Sequence, residues 1–202
     1  MKESTIKNLQ ATMKLHGFYD GEISGLWDDK AQAGFYRIVE AASDKVIKPV
    51  IEEPKYKLSI TSLNRLKGIK PSLNRVVERA IFLSDVDFMV VEGLRTRAKQ
   101  AEYVKKGASQ TMNSKHLTGD AVDIVPYVNG KADWDNWDHI FTMTTAMQKA
   151  AIELGVNVRW GGAWVTLNGS SGTPYQWVEE YKANQRKLGK KAFMDGVHFE
   201  LF

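Results

Sequence analysis

Apolar residues in the first forty positions recur at helical spacing on both sides of a glycine-rich stretch. Ile6, Leu9 and Met13 predict a first helix, which Gly17 ends. The stretch that follows, GFYDGEISGLWDD, is rich in turn-forming residues. A second predicted helix comes after it and carries on one face the apolar residues Ala31, Phe35 and Ile38. A helical unit of about 40 residues is too small to be very stable alone.

From about residue 58 onward, helical and alternating patterns follow one another. Pro71 divides two predicted helices, and two more are predicted in RAKQAEYVKK and in DNWDHIFTMTTAMQKAAIELG, which ends at Gly155. Strands are predicted in DFMVVEGLRT, GDAVDIVPYV, VNVRWG and GVHFELF. These patterns indicate a second domain that mixes helices and strands.

The segment between these two regions has a different composition. Residues 43–57, SDKVIKPVIEEPKYK, hold two of the five prolines and seven charged side chains, without a helical or strand period. Such a segment is typical of an interdomain linker. We therefore predict a helical module at residues 1–42, a linker at 43–57 and a larger domain at 58–202.

Composition narrows the chemistry that is available to the chain. The 202 residues include no cysteine, which excludes a disulfide scaffold, thiolate metal ligands and a cysteine nucleophile. The net charge of +4 favours an anionic partner, which could be nucleic acid, a membrane surface or a cell-wall polymer. No clustered basic and aromatic motif supports nucleic-acid binding. No window reaches the roughly 20 apolar residues of a membrane helix, so we expect no membrane insertion.

Two of the four histidines stand close to carboxylates in strand-like sequence. Asp123 follows His116 by seven residues, and His198 lies between Asp195 and Glu200. Two imidazoles and one carboxylate can hold a metal ion and leave a position open for water, as in catalytic zinc sites. His and Asp on a surface strand are, taken alone, more often solvated than metal-bound. Glu200 could orient His198 or could form a structural salt bridge.

The first region resembles the peptidoglycan-binding domain of many lytic enzymes. The resemblance rests on LQ at 9–10, GFYDG at 17–21 and ISGLW at 23–27, although Ser24 and Asp28 depart from the family pattern. It implies that Phe18, Tyr19 and Trp27 belong to a module that binds peptidoglycan. The alternative is a generic helical hairpin with glycine turns.

The second region resembles the M15 family of zinc peptidases, through SxHxxGxAxD and a later DxxHxE. This family includes D-alanyl-D-alanine peptidases and phage L-alanyl-D-glutamate endopeptidases. The stretches VPYVNGKADW at 125–134 and VRWGGAW at 158–164 look most like the phage enzymes, which are endolysins. The resemblance implies an α+β fold like that of D-Ala-D-Ala peptidases and hedgehog domains, with a central antiparallel sheet flanked by helices.

The same resemblance implies a role for each matching residue. The Zn²⁺ ligands would be His116, Asp123 and His198. Asp195 would be the catalytic acid and base, and Arg95 would face the scissile carbonyl. The residues expected to support the ligands or line the pocket are Ser114, Glu200, Trp160 and Trp164. Ala163 replaces an aspartate that is common in the family.

Together these features predict a two-domain endolysin that cuts the peptidoglycan stem peptide, most simply between L-Ala and D-Glu. The alternatives are a D,D- or L,D-carboxypeptidase of the same family, and a non-catalytic wall-binding protein with structural zinc. MKESTIKNLQ lacks the apolar stretch of a signal peptide. We therefore expect a monomer that stays in the host cytoplasm until lysis and reaches the periplasm and cell wall with the help of a holin.

Overall fold

The chain divides into two compact units, Met1–Glu53 and Pro54–Phe202. The computed structural model describes residues 1–44, 54–109 and 111–202. Residues 45–53, which make up most of the predicted linker, lie outside the described residues.

The first unit is a pair of helices joined by the glycine-rich turn. Helix α1 spans Glu3–Leu15 and helix α2 spans Asp29–Asp44, close to the predicted positions. The buried apolar residues between them are Met13, Tyr19 and Ala31. Gln10 is fully buried as well. Its polar atoms are satisfied there, because the side chain donates to Leu26 O at 2.7 Å and accepts from Gly25 N at 2.9 Å. A polar side chain thus ties α1 to the turn.

The second unit contains the remaining elements. Its helices are α3 Ile60–Arg65, α4 Pro71–Leu83, α5 Arg97–Lys105, α6 Trp137–Leu154 and α7 Pro174–Lys187, with a 3₁₀ helix at Lys115–Thr118. Its strands are β1 Phe88–Glu92, β2 Ala121–Val128, β3 Lys131–Ala132, β4 Val158–Trp160, β5 Val165–Thr166 and β6 His198–Leu201. Pro71 begins α4, and Gly155 ends α6 in the left-handed conformation, as the sequence predicts.

The strands form one antiparallel sheet in the order β1-β2-β6-β4-β5, and β3 pairs with β2. Helix α4 packs against α6, and α6 also contacts β2. One apolar core joins these helices to the sheet. This arrangement confirms the predicted α+β class with a central antiparallel sheet. In the described part of the chain, no helix combines the length and the apolarity that a membrane crossing requires.

Four elements were not predicted from the sequence, and one of them is the 3₁₀ helix at Lys115–Thr118. Strands β3 and β5 have two residues each, too few to show a period. Helix α7 begins with a capping box between Thr173 and Gln176, a signal that the sequence did contain. The basic run KANQRKLGKK, interpreted as a solvated face, forms the end of this helix and the turn after it. The first turns of α7 bury Trp177 and Val178 against the core.

Candidate active site

Strand pairing and one tight turn bring three candidate metal ligands together. Asp123 on β2 lies directly opposite His198 on β6. His116 lies in the 3₁₀ helix that precedes β2. The chain turns between them at Gly119, whose φ of +70° favours glycine and where a Cβ atom would lie 2.2 Å from a backbone oxygen. Gly119 thus lets the chain turn so that His116 and Asp123 approach each other.

The donor atoms of the three side chains form a small triangle. His116 Nε2 lies 3.2 Å from Asp123 Oδ1 and 3.3 Å from His198 Nδ1, and His198 Nδ1 lies 3.0 Å from Asp123 Oδ1. A tetrahedral zinc ion with ordinary bond lengths separates its ligand atoms by about 3.3–3.4 Å. The triangle therefore has the size of one face of such a coordination sphere, and the three residues are a possible metal-binding triad.

Hydrogen bonds on the outer side of each imidazole orient its other nitrogen inward. His116 Nδ1 lies 2.8 Å from Gly93 O, which can only accept, so this nitrogen carries the hydrogen. His198 Nε2 lies 3.1 Å from the Glu200 carboxylate, so in a neutral ring the hydrogen is on this nitrogen. The inward nitrogens then carry lone pairs, beside a carboxylate oxygen. Three acceptors at this distance repel one another unless a metal ion or a proton lies among them.

The pKa values in this cluster lead to the same conclusion. Burial opposes the charge of His198, but hydrogen bonds to Asp123 and Glu200 raise its pKa to about 10. Burial also disfavours the charged form of Asp123, yet the imidazoles of His116 and His198 hold its pKa well below its usual range. The arrangement thus favours positive charge at its centre.

Glu200 is buried and is held from both sides. Its Oε2 faces His198 Nε2, and its Oε1 accepts from Arg159 Nε at 2.7 Å. Arg159 lies directly opposite Glu200 on β4, with its guanidinium 5.5 Å from the ring centre of Trp164 and 4.7 Å from that of Phe202. Burial disfavours the charged carboxylate, but His198 and Arg159 lower the pKa of Glu200. The sequence left open whether Glu200 orients His198 or forms a salt bridge, and the structure contains both contacts.

A cavity of about 590 Å³ opens onto the triad, and Asp195 lines it. The backbone of Asp195 donates to Gly161 O at 2.9 Å and accepts from His198 N at 3.2 Å. A Cβ atom at Gly161 would lie 2.7 Å from Asp195 O, so this close approach requires glycine. Burial and then the charge of Asp123 raise the pKa of the Asp195 carboxyl. The segment before β6 thus places the weakly acidic carboxyl group of Asp195 beside the triad.

Arg95 lines the same cavity and is 8% exposed. Its Nη2 lies 3.5 Å from Asp123 Oδ2, and its Nη1 donates to Gln100 Oε1 at 2.8 Å. The guanidinium also lies 4.6 Å from the ring centre of Tyr103. Gln100 is fully buried and donates in turn to Thr111 O at 2.6 Å. Arg95 is therefore held in one orientation by a network around it.

The other predicted pocket residues divide into two groups. Ser114 and Trp164 line the cavity. Ser114 Oγ accepts from His116 N at 3.3 Å and caps the 3₁₀ helix. The expectation that Trp160 forms a pocket wall is wrong, because its ring is fully buried and its Nε1 donates to Gly196 O at 2.9 Å. On β4 its side chain points to the core, on the face opposite to that of Arg159.

Trp164 is in an unusual backbone conformation for a large residue, with a φ of +57°. Its ring stacks on Phe193 at 6.2 Å, and its Nε1 donates to Phe193 O at 2.9 Å. The ring centre also lies 6.1 Å from that of His198. Non-glycine residues adopt this φ at a cost of about 1–3 kcal/mol, and such strain is concentrated at functional sites.

Three residues that contact the candidate site residues were not predicted from the sequence: Gln100, Arg159 and Gly161. Arg159 had a signal, since a charged residue between Val158 and Trp160 in a strand must face away from the core. Gln100 and Gly161 had none that a single sequence shows. Their positions depend on which segments the fold brings together.

In the first unit, the aromatic residues of the peptidoglycan-binding motif lie mostly inward. Tyr19 is 4% exposed, and its hydroxyl donates to Glu22 O at 2.7 Å. Its ring therefore packs in the core and cannot stack on a ligand. Phe18 and Trp27 are half-buried beside it, and Trp27 Nε1 donates to Gln32 Oε1 at 2.6 Å. A binding role for Phe18 and Trp27 stays a prediction.

Comparison with known proteins gives concordant results for the second unit. A family model described as phage L-alanyl-D-glutamate peptidase matches residues 55–202. The L-alanyl-D-glutamate peptidase of Escherichia phage T5 is 39% identical over 112 residues, which are 54% of this chain and 82% of that protein. The L-alanyl-D-glutamate peptidase of Listeria phage A118 is 28% identical over 109 residues, which are 54% of this chain and 37% of that protein.

A solved structure is similar as well. The crystal structure of the Serratia marcescens L-Ala D-Glu endopeptidase ChiX covers 76% of this chain and 94% of its own, with a TM-score of 0.57 and 36% sequence identity. The family model spans well over half of the chain, and it includes all of the residues that surround the triad. The chain therefore belongs to the phage L-alanyl-D-glutamate peptidase family.

Proposed function

We propose that this protein is an endolysin that hydrolyses the amide bond between L-Ala and D-Glu in the stem peptide of bacterial peptidoglycan. The proposal rests on the family of the chain and on one observation above all. Three lone-pair donors from His116, Asp123 and His198 converge within 3.3 Å of one another in an open cavity. A fully enclosed site would hold a structural ion, whereas this one leaves room for water and substrate.

Zn²⁺ is the ion that best suits these donors. Two imidazoles and one carboxylate are borderline to hard ligands, and the chain offers no thiolate. The proposed ligand atoms are His116 Nε2, His198 Nδ1 and Asp123 Oδ1. A bound zinc ion supplies Lewis acidity toward the scissile carbonyl and lowers the pKa of a water molecule.

Asp195 is the proposed proton carrier. Its carboxylate would take a proton from the attacking water and give it to the nitrogen of the leaving D-Glu amine. Its raised pKa suits both steps, because a carboxylate of ordinary acidity accepts a proton less readily. Arg95 would donate hydrogen bonds to the carbonyl oxygen as negative charge develops there. Its network with Gln100 supports this role by removing other orientations.

Glu200 and Arg159 are proposed to position His198. The carboxylate keeps the hydrogen of His198 on Nε2, so that Nδ1 remains available to the metal. Arg159 keeps the buried Glu200 charged. Ser114 is proposed to hold the backbone of His116, and Trp164 to form a wall of the substrate pocket.

The first unit is proposed to hold peptidoglycan while the second unit cuts it. An insoluble substrate makes such tethering useful, because a linked binding module raises the concentration of the catalyst at the surface. The net positive charge suits an anionic wall. We further propose that the protein acts as a monomer, accumulates in the host cytoplasm, and depends on a holin to reach the wall at lysis.

The decisive experiment identifies the bond that is broken. Purified sacculi are digested with the zinc-loaded protein, and the products are analysed by mass spectrometry. New peptides with N-terminal D-Glu are expected. Loss of terminal D-Ala without new N-termini would instead indicate a carboxypeptidase. Binding to sacculi without any cleavage, with and without a chelator, would leave only a wall-binding function.

A further inference from the structure

A second cavity, of about 680 Å³, adjoins the active-site cavity. The two have four lining residues in common: Arg95, Asn113, Ser114 and Lys115. Because these residues line both cavities, a substrate bound at the triad can extend directly into the second cavity. None of the roles proposed above uses this space.

The two cavities differ in charge. In the active-site cavity, the carboxylates of Asp123, Asp195 and Glu200 balance the cations of Arg95, Lys115 and Arg159. The second cavity is lined by the cations of Arg95, Arg97 and Lys115, and no carboxylate is among its described lining residues. It therefore favours an anionic ligand.

Two of these cations are free to bind a ligand. Arg97 and Lys115 are exposed, and within the described ranges neither forms an ion pair. Nearby Lys99 differs, because its Nζ lies 2.8 Å from Glu92 Oε2. Arg95 is also engaged, through Asp123 and Gln100. Lys115 also interacts electrostatically with the nearby carboxylate of Asp120, which forms its ion pair with Lys70. The cations of the second cavity that form no ion pair among the described residues are thus Arg97 and Lys115.

The proposed substrate carries an anion at a matching place. A glutamate residue within a peptide uses one of its carboxyl groups to continue the chain and keeps the other free. Its amine is the leaving group of the proposed reaction, so the free carboxylate lies only a few bonds from the scissile nitrogen. Lys115, which lines both cavities, is the unpaired cation at the junction between them.

We infer that the second cavity is the subsite for the D-Glu side of the stem peptide, with Lys115 and Arg97 binding the free D-Glu carboxylate. This inference rests on the proposed function and adds to it a direction for the bound peptide. It also adds a chemical requirement, since the enzyme discriminates between a charged and an amidated glutamate. Ion pairs at an exposed rim contribute modestly, so the discrimination is moderate.

The test compares two synthetic stem peptides that differ only in this group, free carboxylate or carboxamide. The ratio of kcat/KM for the acidic peptide to kcat/KM for the amidated peptide is measured with zinc-loaded enzyme. Damage to the metal site lowers both rates and cancels in the ratio. We expect a ratio of about ten for the wild type, and about two for the Lys115→Gln/Arg97→Gln double variant. Lys131→Gln, which removes an exposed cation outside both cavities, should keep the wild-type ratio.

Each outcome decides between the possibilities. A wild-type ratio near one, or a double variant that keeps the wild-type ratio, overturns the subsite while leaving the proposed hydrolysis intact. Failure to cut either peptide between L-Ala and D-Glu overturns the proposed function and the subsite with it. Lys115→Glu provides a second check, because reversing the charge should bring the ratio below that of Lys115→Gln.

Discussion

The two units of this protein are stabilised in different ways. The first has a core of Met13, Tyr19 and Ala31, supplemented by the fully buried Gln10, which hydrogen-bonds to the turn. The second has one extensive apolar core beneath a sheet and several helices. A small unit cannot bury enough apolar surface, so directed polar bonds supplement its core. The larger apolar core of the second unit can instead offset the free-energy cost of burying a cluster of charged groups at its edge.

This difference corresponds to what each unit is proposed to do. Hydrolysis needs donor atoms held within a few tenths of an ångström, and paired strands of fixed register provide that precision. Attachment to a polymer needs only an exposed surface. Changes at the proposed metal site should therefore affect cleavage of every substrate, whereas changes in the first unit should affect only cleavage of the insoluble wall.

The largest expected effect comes from removing a proposed ligand. His198→Ala should lower cleavage of both a soluble stem peptide and sacculi by at least about a thousandfold, because the metal and its Lewis acidity are lost. Bound metal is measured by elemental analysis beside the rates. His139→Ala is the matched control, since His139 pairs with Asp133 and does not line the active-site cavity. A variant that kept both its metal and its activity would remove His198 from the ligand set.

The next effect separates proton transfer from metal binding. Asp195→Asn should lower kcat by about 10²–10⁴-fold on both substrates, because the amide cannot accept the proton. Metal content should stay at the wild-type level, since Asp195 is not a proposed ligand. Near wild-type rates with full metal content would show that another group is the base.

A smaller effect is expected from the pair that positions His198. Glu200→Gln should weaken metal binding by about 10–100-fold, measured as an apparent Kd by competition with a chelator. Arg159→Gln should act through Glu200, so the double variant should be weakened by less than the product of the single effects. Arg79→Gln, which breaks the exposed ion pair with Glu153, is the control and should leave the Kd unchanged. If the double variant instead weakened metal binding by the full product of the two single effects, Arg159 would not act through Glu200.

The smallest effect on catalysis should come from the first unit. Gln10→Leu leaves Gly25 N and Leu26 O without their partner and should destabilise this unit by about 1–3 kcal/mol. Thermal unfolding measures the loss. Cleavage of sacculi should fall severalfold, while cleavage of a soluble peptide stays at the wild-type rate. Asn8→Ala, on the exposed surface of α1, should change neither. Equal losses on both substrates would contradict a purely tethering role.

Much of the second unit followed from local pattern. Alternating and helical periods predicted β1, β2, β4, β6 and the helices α3 to α6, and the spacing around His116 and His198 indicated the metal chemistry. Helix α7 was missed although its capping box was readable, because the polar residues after it obscured the short apolar face. The inward turn of Trp160 was also missed, since a tryptophan beside glycines suits a pocket as well as a core.

The sequence by itself determined which residues have the chemistry of a metal hydrolase and which segments become strands and helices, because both depend on residue type and short-range spacing. The tertiary structure alone decided that Asp123 faces His198, that Arg159 lies opposite Glu200, and that Lys115 stands between two cavities. These relations join residues up to 82 positions apart, as for His116 and His198. Strand register and core packing establish them, and neither is encoded in any local stretch of the chain.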